Sequence, residues 1–286
     1  MLYRITHSTR YSYPSPVTQC FNEAHLTPRA LPGQRVREHS LEVNPFPAFL
    51  QNRKDYFGND VSTFAVFEKH DRFAAIASSV VDVAPAGGEI LSSPAWEKVR
   101  DLLAQPLDPV SIAASEFIFD SPYISALAEL REYARPTFTP GRPLLDALEE
   151  LTRRIHDEFT YQPKSTSIDT PLLEILHNRQ GVCQDFAQLM IGALRSLRLS
   201  ARYVSGYICS SPRFQGAAAS HAWVSVFDPQ NGWLSFDPTN NMMPSDAHIT
   251  LAWGRDYGDV TPVKGLTLGG SGQSVEVEVR VQPLEG

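Results

Sequence analysis

Along residues 3–13 the aromatic and β-branched side chains fall mainly on odd positions. Tyr3, Ile5, His7, Thr9, Tyr11 and Tyr13 alternate with Arg4, Thr6, Ser8, Arg10 and Ser12. That is the period of a half-buried strand. Residues 40–43 and 61–67 read as further strands. Pro28, Pro32, Pro45 and Pro47 separate them, with turn chemistry at Asn44-Pro45 and Gly58-Asn59-Asp60. The pattern predicts a small β-rich domain over residues 1–83. Residues 84–94 have the composition of a linker, and a helical segment follows up to residue 142. Ser93-Pro94 before Ala95-Trp96-Glu97-Lys98 reads as a helix cap followed by proline in the first turn. Segments near 111–118, 122–133 and 143–158 carry helical spacing. In the last, Leu144, Leu145, Leu148, Leu151 and Ile155 form one stripe, and the charges opposite read as a solvated face.

The stretch 180–197 changes character. Phe186, Ala187, Met190, Ala193, Leu194 and Leu197 recur at helical spacing, and the segment is apolar nearly all round, which predicts a buried helix starting at Val182 or Cys183. Beyond it the chain reads as strands at 201–209, 220–227 and 233–237. Near the end, Val275, Val277, Val279 and Val281 alternate with Glu276, Glu278, Arg280 and Gln282, the pattern of a one-faced strand. Helices followed by an antiparallel sheet define an α+β core over residues 143–286.

Composition removes several classes of function. Of 286 residues 42% are hydrophobic and 20% charged, which excludes a disordered chain. The formal charge of −7 comes with no basic block, so nucleic acid and anionic membranes are poor partners. No apolar run reaches the roughly 18 residues of a spanning helix. The start of the chain shows no apolar leader, and three cysteines cannot form a disulfide framework. The expectation is a cytoplasmic protein.

Three residues then stand out. Cys183 lies at a predicted helix start, where unpaired N–H groups and the positive end of the helix dipole favour a thiolate. His221 and Asp237 lie on two strands joined through Asp228-Pro-Gln-Asn-Gly232. If Phe227 pairs with Trp233, Asp237 is a diagonal neighbour of His221; a shift by one pair puts them directly opposite. The other face carries Ala222, Val224, Val226, Leu234 and Phe236 and reads as core. In this arrangement Cys183 attacks an acyl carbon, His221 moves the proton, and Asp237 fixes the imidazole. The Cys183 N–H is a natural oxyanion donor. Taken singly, each residue has a plainer reading: a small core hydrophobe, a structural histidine, a strand-ending turn at Asp237-Pro238. Cys20 and Cys209 lack such surroundings. A metal at Cys183 and His221 would need further ligands, and neither C-x-x-C nor H-x-x-x-H occurs.

Residues 181–187 (Gly-Val-Cys-Gln-Asp-Phe-Ala), 220–224 (Ser-His-Ala-Trp-Val) and 233–239 (Trp-Leu-Ser-Phe-Asp-Pro-Thr) resemble the transglutaminase-like superfamily. There Cys, His and Asp occur in this order on a papain-like core. The resemblance is closest to bacterial transglutaminase-like cysteine peptidases with a β-rich domain before the core. Residues 1–83, with Tyr11-Ser-Tyr-Pro14, resemble that domain; Phe159-Thr-Tyr161 and residues 253–259 also resemble family segments. The resemblance implies a catalytic triad of Cys183, His221 and Asp237, with no cofactor and no metal. It also implies a side chain assisting the oxyanion, for which Tyr161 is the candidate and Gln162 and Gln184 stand behind it. The plainer reading of Tyr161 is a packed core tyrosine. The cluster Arg255, Asp256, Tyr257 and Asp259 reads as loop-locking rather than cleft-lining. The implied activity is a thiol-dependent acyl transfer on a peptide or protein, most simply amide hydrolysis. The alternatives are protein-glutamine cross-linking, without calcium because no calcium loop is present, or a non-catalytic assembly module. Peptide-ligase proteins are the implied partners.

Overall fold

The computed structural model describes residues 1–85, 92–217, 219–270 and 272–284; most of the predicted linker, 86–91, lies outside them. The alternating segment at the start is longer than its periodicity shows. It forms β1 (Leu2–Ala24), followed by β2 (Gln34–Asn44), β3 (Phe49–Lys54), β4 (Asp60–Val66) and β5 (His70–Val83). Next come α1 (Trp96–Ala104), α2 (Pro109–Ser115), α3 (Ala128–Ala134) and α4 (Leu144–Glu158). Two short strands, β6 (Thr160–Tyr161) and β7 (Gln180–Gly181), enclose α5 (Leu172–Asn178) and lead into α6 (Cys183–Ser196). Then follow β8 (Ala201–Ile208), β9 (His221–Asp228), β10 (Gly232–Phe236), β11 (His248–Gly254), β12 (Val263–Gly269) and β13 (Ser274–Leu284).

The second half of the chain builds an antiparallel sheet in the order β10-β9-β8-β11, with α6 packed against it. Trp233 pairs with Phe227 and Phe236 with Val224, the first of the two registers expected from the turn. Ala222, Val224, Val226, Leu234 and Phe236 all belong to the core, as their alternation predicts. Every residue of β9 is buried, however, so its second face is covered too. On that face Trp223 packs edge-on against His248, and Phe227 against Trp233, which meets Phe117 in turn.

The N-terminal sheet has seven strands. Along residues 2–12, β1 is flanked by β5 and β13; along 20–24 it is flanked by β4 and β12. The valine strand at 274–284, grouped by sequence with residues 143–286, therefore pairs with β1. The two sheets meet through side chains that satisfy the exposed edge of β11. The Gln34 amide both donates to the Thr250 carbonyl and accepts from the Thr250 N–H, each at 2.8 Å. The Asn59 amide does the same to Trp253, at 2.9 and 3.0 Å. Two amides thus replace a missing strand, and the open edge is closed. Arg29 and Arg202 each stack on Trp253, at 3.5 and 3.9 Å, adding cation–π contacts at this junction.

Two helical expectations shift. Residues 121–127 form a turn, so the helix predicted near 122–133 is only α3. Pro122 lacks an N–H, and the Asp120 carboxylate takes the Ala126 N–H at 2.9 Å in place of a helical carbonyl. Ser93 does not cap α1. Its hydroxyl accepts from Leu145 N at 3.2 Å, at the start of α4, and donates to Asp228 at 2.6 Å. The stripe of α4 behaves as predicted: Leu144, Leu148, Leu151 and Ile155 are fully buried and Leu145 partly.

The end of α6 is held by Arg195, which is fully buried and, among the described residues, forms no carboxylate ion pair. Its guanidinium donates to the carbonyls of Phe117, Ala201 and Arg255 and to Ser121 Oγ, at 2.6–3.1 Å. Burial lowers its pKa to about 10 against the opposing pull of Asp256 and Asp120, so it stays charged at neutral pH. Arg195→Met removes the donor from the carbonyls of Phe117, Ala201 and Arg255 and from Ser121 Oγ. We expect a loss of about 3 kcal/mol in urea denaturation; a loss below about 1 kcal/mol would mean that water replaces the guanidinium.

Candidate active site

Cys183 opens α6, and the local sequence explains why the helix begins there. The Asp185 carboxylate reaches back to the Val182 N–H at 2.8 Å and accepts from Thr166 Oγ1 at 2.6 Å. Burial raises the Asp185 carboxyl, and these two hydrogen bonds oppose that. Gly181 makes the bend possible: a Cβ there would lie 2.7 Å from Asp185 Oδ2. At the first helical position the Cys183 N–H has no intrahelical partner. Its Sγ lies 3.9 Å from the Ser220 carbonyl oxygen, next to His221, and the residue is 8% exposed.

His221 and Asp237 are both buried, and His221 Nε2 donates to Asp237 Oδ2 at 2.7 Å. The diagonal placement expected from the hairpin is the one observed. Asp237 ends its strand in a turn closed on Met242, and its Oδ1 accepts from the N–H groups of Thr239 and Asn240 at 2.9 and 3.3 Å. Asp237 thus stands in the strand-ending turn of its plainer reading and at the same time holds His221. Oδ2 also accepts from Asn240 Nδ2 at 2.8 Å and from His248 Nε2 at 3.2 Å.

The electrostatics follow from this crowding. Burial alone would lower the His221 imidazole, but the charge and hydrogen bond of Asp237, with the neighbouring Cys183, hold it well above its ordinary value. Burial would raise Asp237, and His221 and His248 together pull it far below the usual carboxylate range. His248 goes the other way. Burial lowers it against the pull of Asp237, and its Nδ1 accepts from the Ser245 N–H at 3.2 Å. Its Nε2 therefore carries the proton given to Asp237, and the ring is neutral. Among the described residues His221 Nδ1 is buried without a hydrogen-bond partner, and the Cys183 thiol is one of the groups acting on this imidazole.

The upstream residues separate. β6 pairs in parallel with β7, Tyr161 opposite Gly181, so Tyr161 is carried to within two residues of the thiol. Burial, with Cys183 and Asp185 nearby, raises the Tyr161 phenol to about 12. Its ring packs edge-on against Phe186, so the core reading holds for the ring. A Cβ on Gly216 would sit 2.8 Å from His221 Nδ1 and 3.5 Å from Tyr161 Oη. The hydroxyl and the imidazole therefore approach one spot. Gln162 is exposed and Gln184 half-buried. Arg255 and Asp259 form the loop-locking pair expected, at 2.9 Å, and Asp256 takes the N–H groups of Tyr123 and Gly258.

Sequence reasoning missed His248, Asn240 and Gly216. Asn240 Oδ1 accepts from Gln215 N at 2.8 Å, tying the loop before β9 to the His221–Asp237 pair. Gly216, at φ +82°, occupies the left-handed region that favours glycine and brings the backbone over the imidazole. His221, Asp237 and His248 bring ligand atoms within 4.8 Å of one another, but both Nε2 atoms already donate to the carboxylate. Among the described residues no third side chain joins Cys183 and His221 in such a cluster.

Comparison with known proteins gives the family. Residues 3–82 match the bacterial transglutaminase-like N-terminal region, and residues 131–238 match the transglutaminase-like superfamily. The chain belongs to that superfamily, with the N-terminal region of its bacterial members. An uncharacterized protein of Mycobacterium tuberculosis is 41% identical, over 99% of this chain and 93% of its own. A protein-glutamine gamma-glutamyltransferase of Pseudomonas aeruginosa is 34% identical over 43% of this chain and 19% of its own. The crystal structure of a protein from Cytophaga hutchinsonii, proposed to be a cysteine protease, shares the fold with a TM-score of 0.78. It is 21% identical, over 100% of this chain and 92% of that one. No helix among the described residues is long and apolar enough to cross a membrane.

Proposed function

We propose that this chain is a thiol-dependent acyl-transfer enzyme acting on amide bonds of peptides or proteins. The observation that carries this reading is the buried His221–Asp237 pair, with the free Nδ1 of His221 beside a cysteine at the start of a helix. Sγ of Cys183 attacks the acyl carbon while Nδ1 of His221 takes the thiol proton. The Cys183 N–H and Tyr161 Oη stabilise the oxyanion. The protonated Nδ1 then donates to the leaving amine as the C–N bond breaks, leaving a thioester. Water attacks that thioester in hydrolysis, with His221 as base. An amine in place of water gives transfer of the acyl group to that amine, and the Pseudomonas relative is named a protein-glutamine gamma-glutamyltransferase.

The test is alkylation by iodoacetamide as a function of pH, with the modified site read by peptide mass spectrometry. Because Asp237 keeps His221 able to hold a proton, Cys183 is expected to react fast near pH 6, and His221→Ala to slow it at least tenfold. Reaction that rises only above about pH 8, as for free cysteine, would mean that the triad is not assembled. The assembly-module reading would then stand.

A further inference from the structure

The valine alternation of β13 does not end where the core ends. Val279 and Val281 are buried at 4% and 1%, whereas Val275 and Val277 are 48% and 43% exposed. Their partners on β1 are Tyr11 and Thr9. These four residues form one wall of a cavity of about 480 Å³. The lining also includes Tyr257, Ile168 and Ser220, from the half of the chain that carries Cys183 and His221. Ser220 immediately precedes His221, and its carbonyl is the one 3.9 Å from the Cys183 thiol. Tyr257 packs edge-on against Tyr203 at 6.3 Å, and its N–H bonds to Gln188 of α6 at 3.4 Å. Ile168 lies on the loop that Thr166 ties to Asp185. Ser220 therefore links this cavity to the neighbourhood of the Cys183 thiol, and much of the remaining lining lies on the N-terminal sheet.

Its lining combines tyrosine rings and aliphatic side chains with mostly uncharged polar groups. Among the described residues of its lining, the one Lys, Arg, Asp or Glu is Lys264, and Glu23 engages it at 3.6 Å. His7, at its inner end, is buried and neutral, bonded to Tyr207 Oη and Thr9 Oγ1 at 2.9 and 3.1 Å. The lysine is already paired with Glu23, and the tyrosine faces and two exposed valines gain by being covered. We infer that the face of β1 and β13 carrying Tyr11, Val275 and Val277 is a substrate subsite, which accepts a bulky apolar or aromatic side chain flanking the reacting amide. The inference rests on the acyl-transfer reading and assigns the N-terminal sheet a part in selectivity.

Three alkylating agents with one reactive group test it: iodoacetamide, its N-phenethyl derivative and its N-carboxyethyl derivative. Rates at Cys183 are divided by the iodoacetamide rate of the same protein and compared with the same ratios on free cysteine. The wild type is expected to favour the phenethyl arm over the carboxyethyl arm by tenfold or more beyond free cysteine. Val277→Lys and Val275→Lys, both at exposed positions of an edge strand, are expected to reduce that preference to within about twofold. A wild-type preference equal to that of free cysteine, or a preference unchanged in both folded variants, overturns the subsite. No reaction of wild-type Cys183 with iodoacetamide itself overturns the acyl-transfer reading, and the subsite with it.

Discussion

Cys183→Ala is expected to abolish turnover of every amide or peptide substrate the wild type accepts and to leave the fold intact. Removing the nucleophile of a triad costs about a million-fold in turnover, because the remaining groups no longer act as a unit. The residual rate reflects oxyanion stabilisation and binding alone. Structural damage is expected to be small. The substitution deletes a single buried sulfur at the first position of α6, and the helix start is held by Asp185 and Gly181 rather than by the thiol. Two measurements separate the outcomes. Mass spectrometry of the wild type with substrate should show an acyl adduct on the peptide containing residue 183, absent from the variant. Urea denaturation of the variant should stay within about 1 kcal/mol of the wild type. Turnover surviving in the alanine variant would end the mechanism, whatever the adduct data showed.

Much of this site was legible in the sequence because it is local or set by simple periodicity. The start of α6 follows from Gly181 and the apolar run behind it. The His221–Asp237 relation follows from a short hairpin whose register has few choices. What stayed hidden depends on pairing at a distance. β13 alternates like any half-buried strand, and nothing in its composition tells which sheet it joins. Ser274 pairs with Ser12, at the opposite end of the chain, and no local pattern records a partner so remote. β1 reads as about eleven residues but runs for 23, because the irregular stretch between Ser12 and Val17 is followed by a second paired stretch. His248 was invisible for a similar reason. It sits on β11, two strands away from β9 in the sheet, and reaches Asp237 only once β8 has paired with both.

Asp237→Asn is expected to lower kcat/KM by about 10⁴-fold while the chain remains folded. Asp237 receives five donors: His221, His248 and the Asn240 amide on one oxygen, and two backbone N–H groups on the other. An asparagine keeps the shape but must turn an NH₂ group toward some of those donors. His221 then loses the charge that offsets its burial, so its imidazole falls below its ordinary value and no longer holds the thiol proton. Alkylation of Cys183 near pH 6 should slow in parallel with turnover. His248→Gln tests the outer member, a positioning residue. The carboxylate keeps its charge and four of its donors, so the loss should be about tenfold. Stability supplies an independent readout. The folded value of His221 is raised, so its pairing stabilises fully below about pH 6.5 and is lost as pH rises toward that raised value. The folded value of Asp237 is depressed, so its pairing stabilises fully above about pH 4 and is lost as pH falls. The wild type should therefore lose more stability than Asp237→Asn between pH 6 and pH 9, measured by urea denaturation at both pH values. Equal losses in the two proteins would show that the pair carries no ionic interaction, and the role given to Asp237 in holding His221 protonated would fall with it.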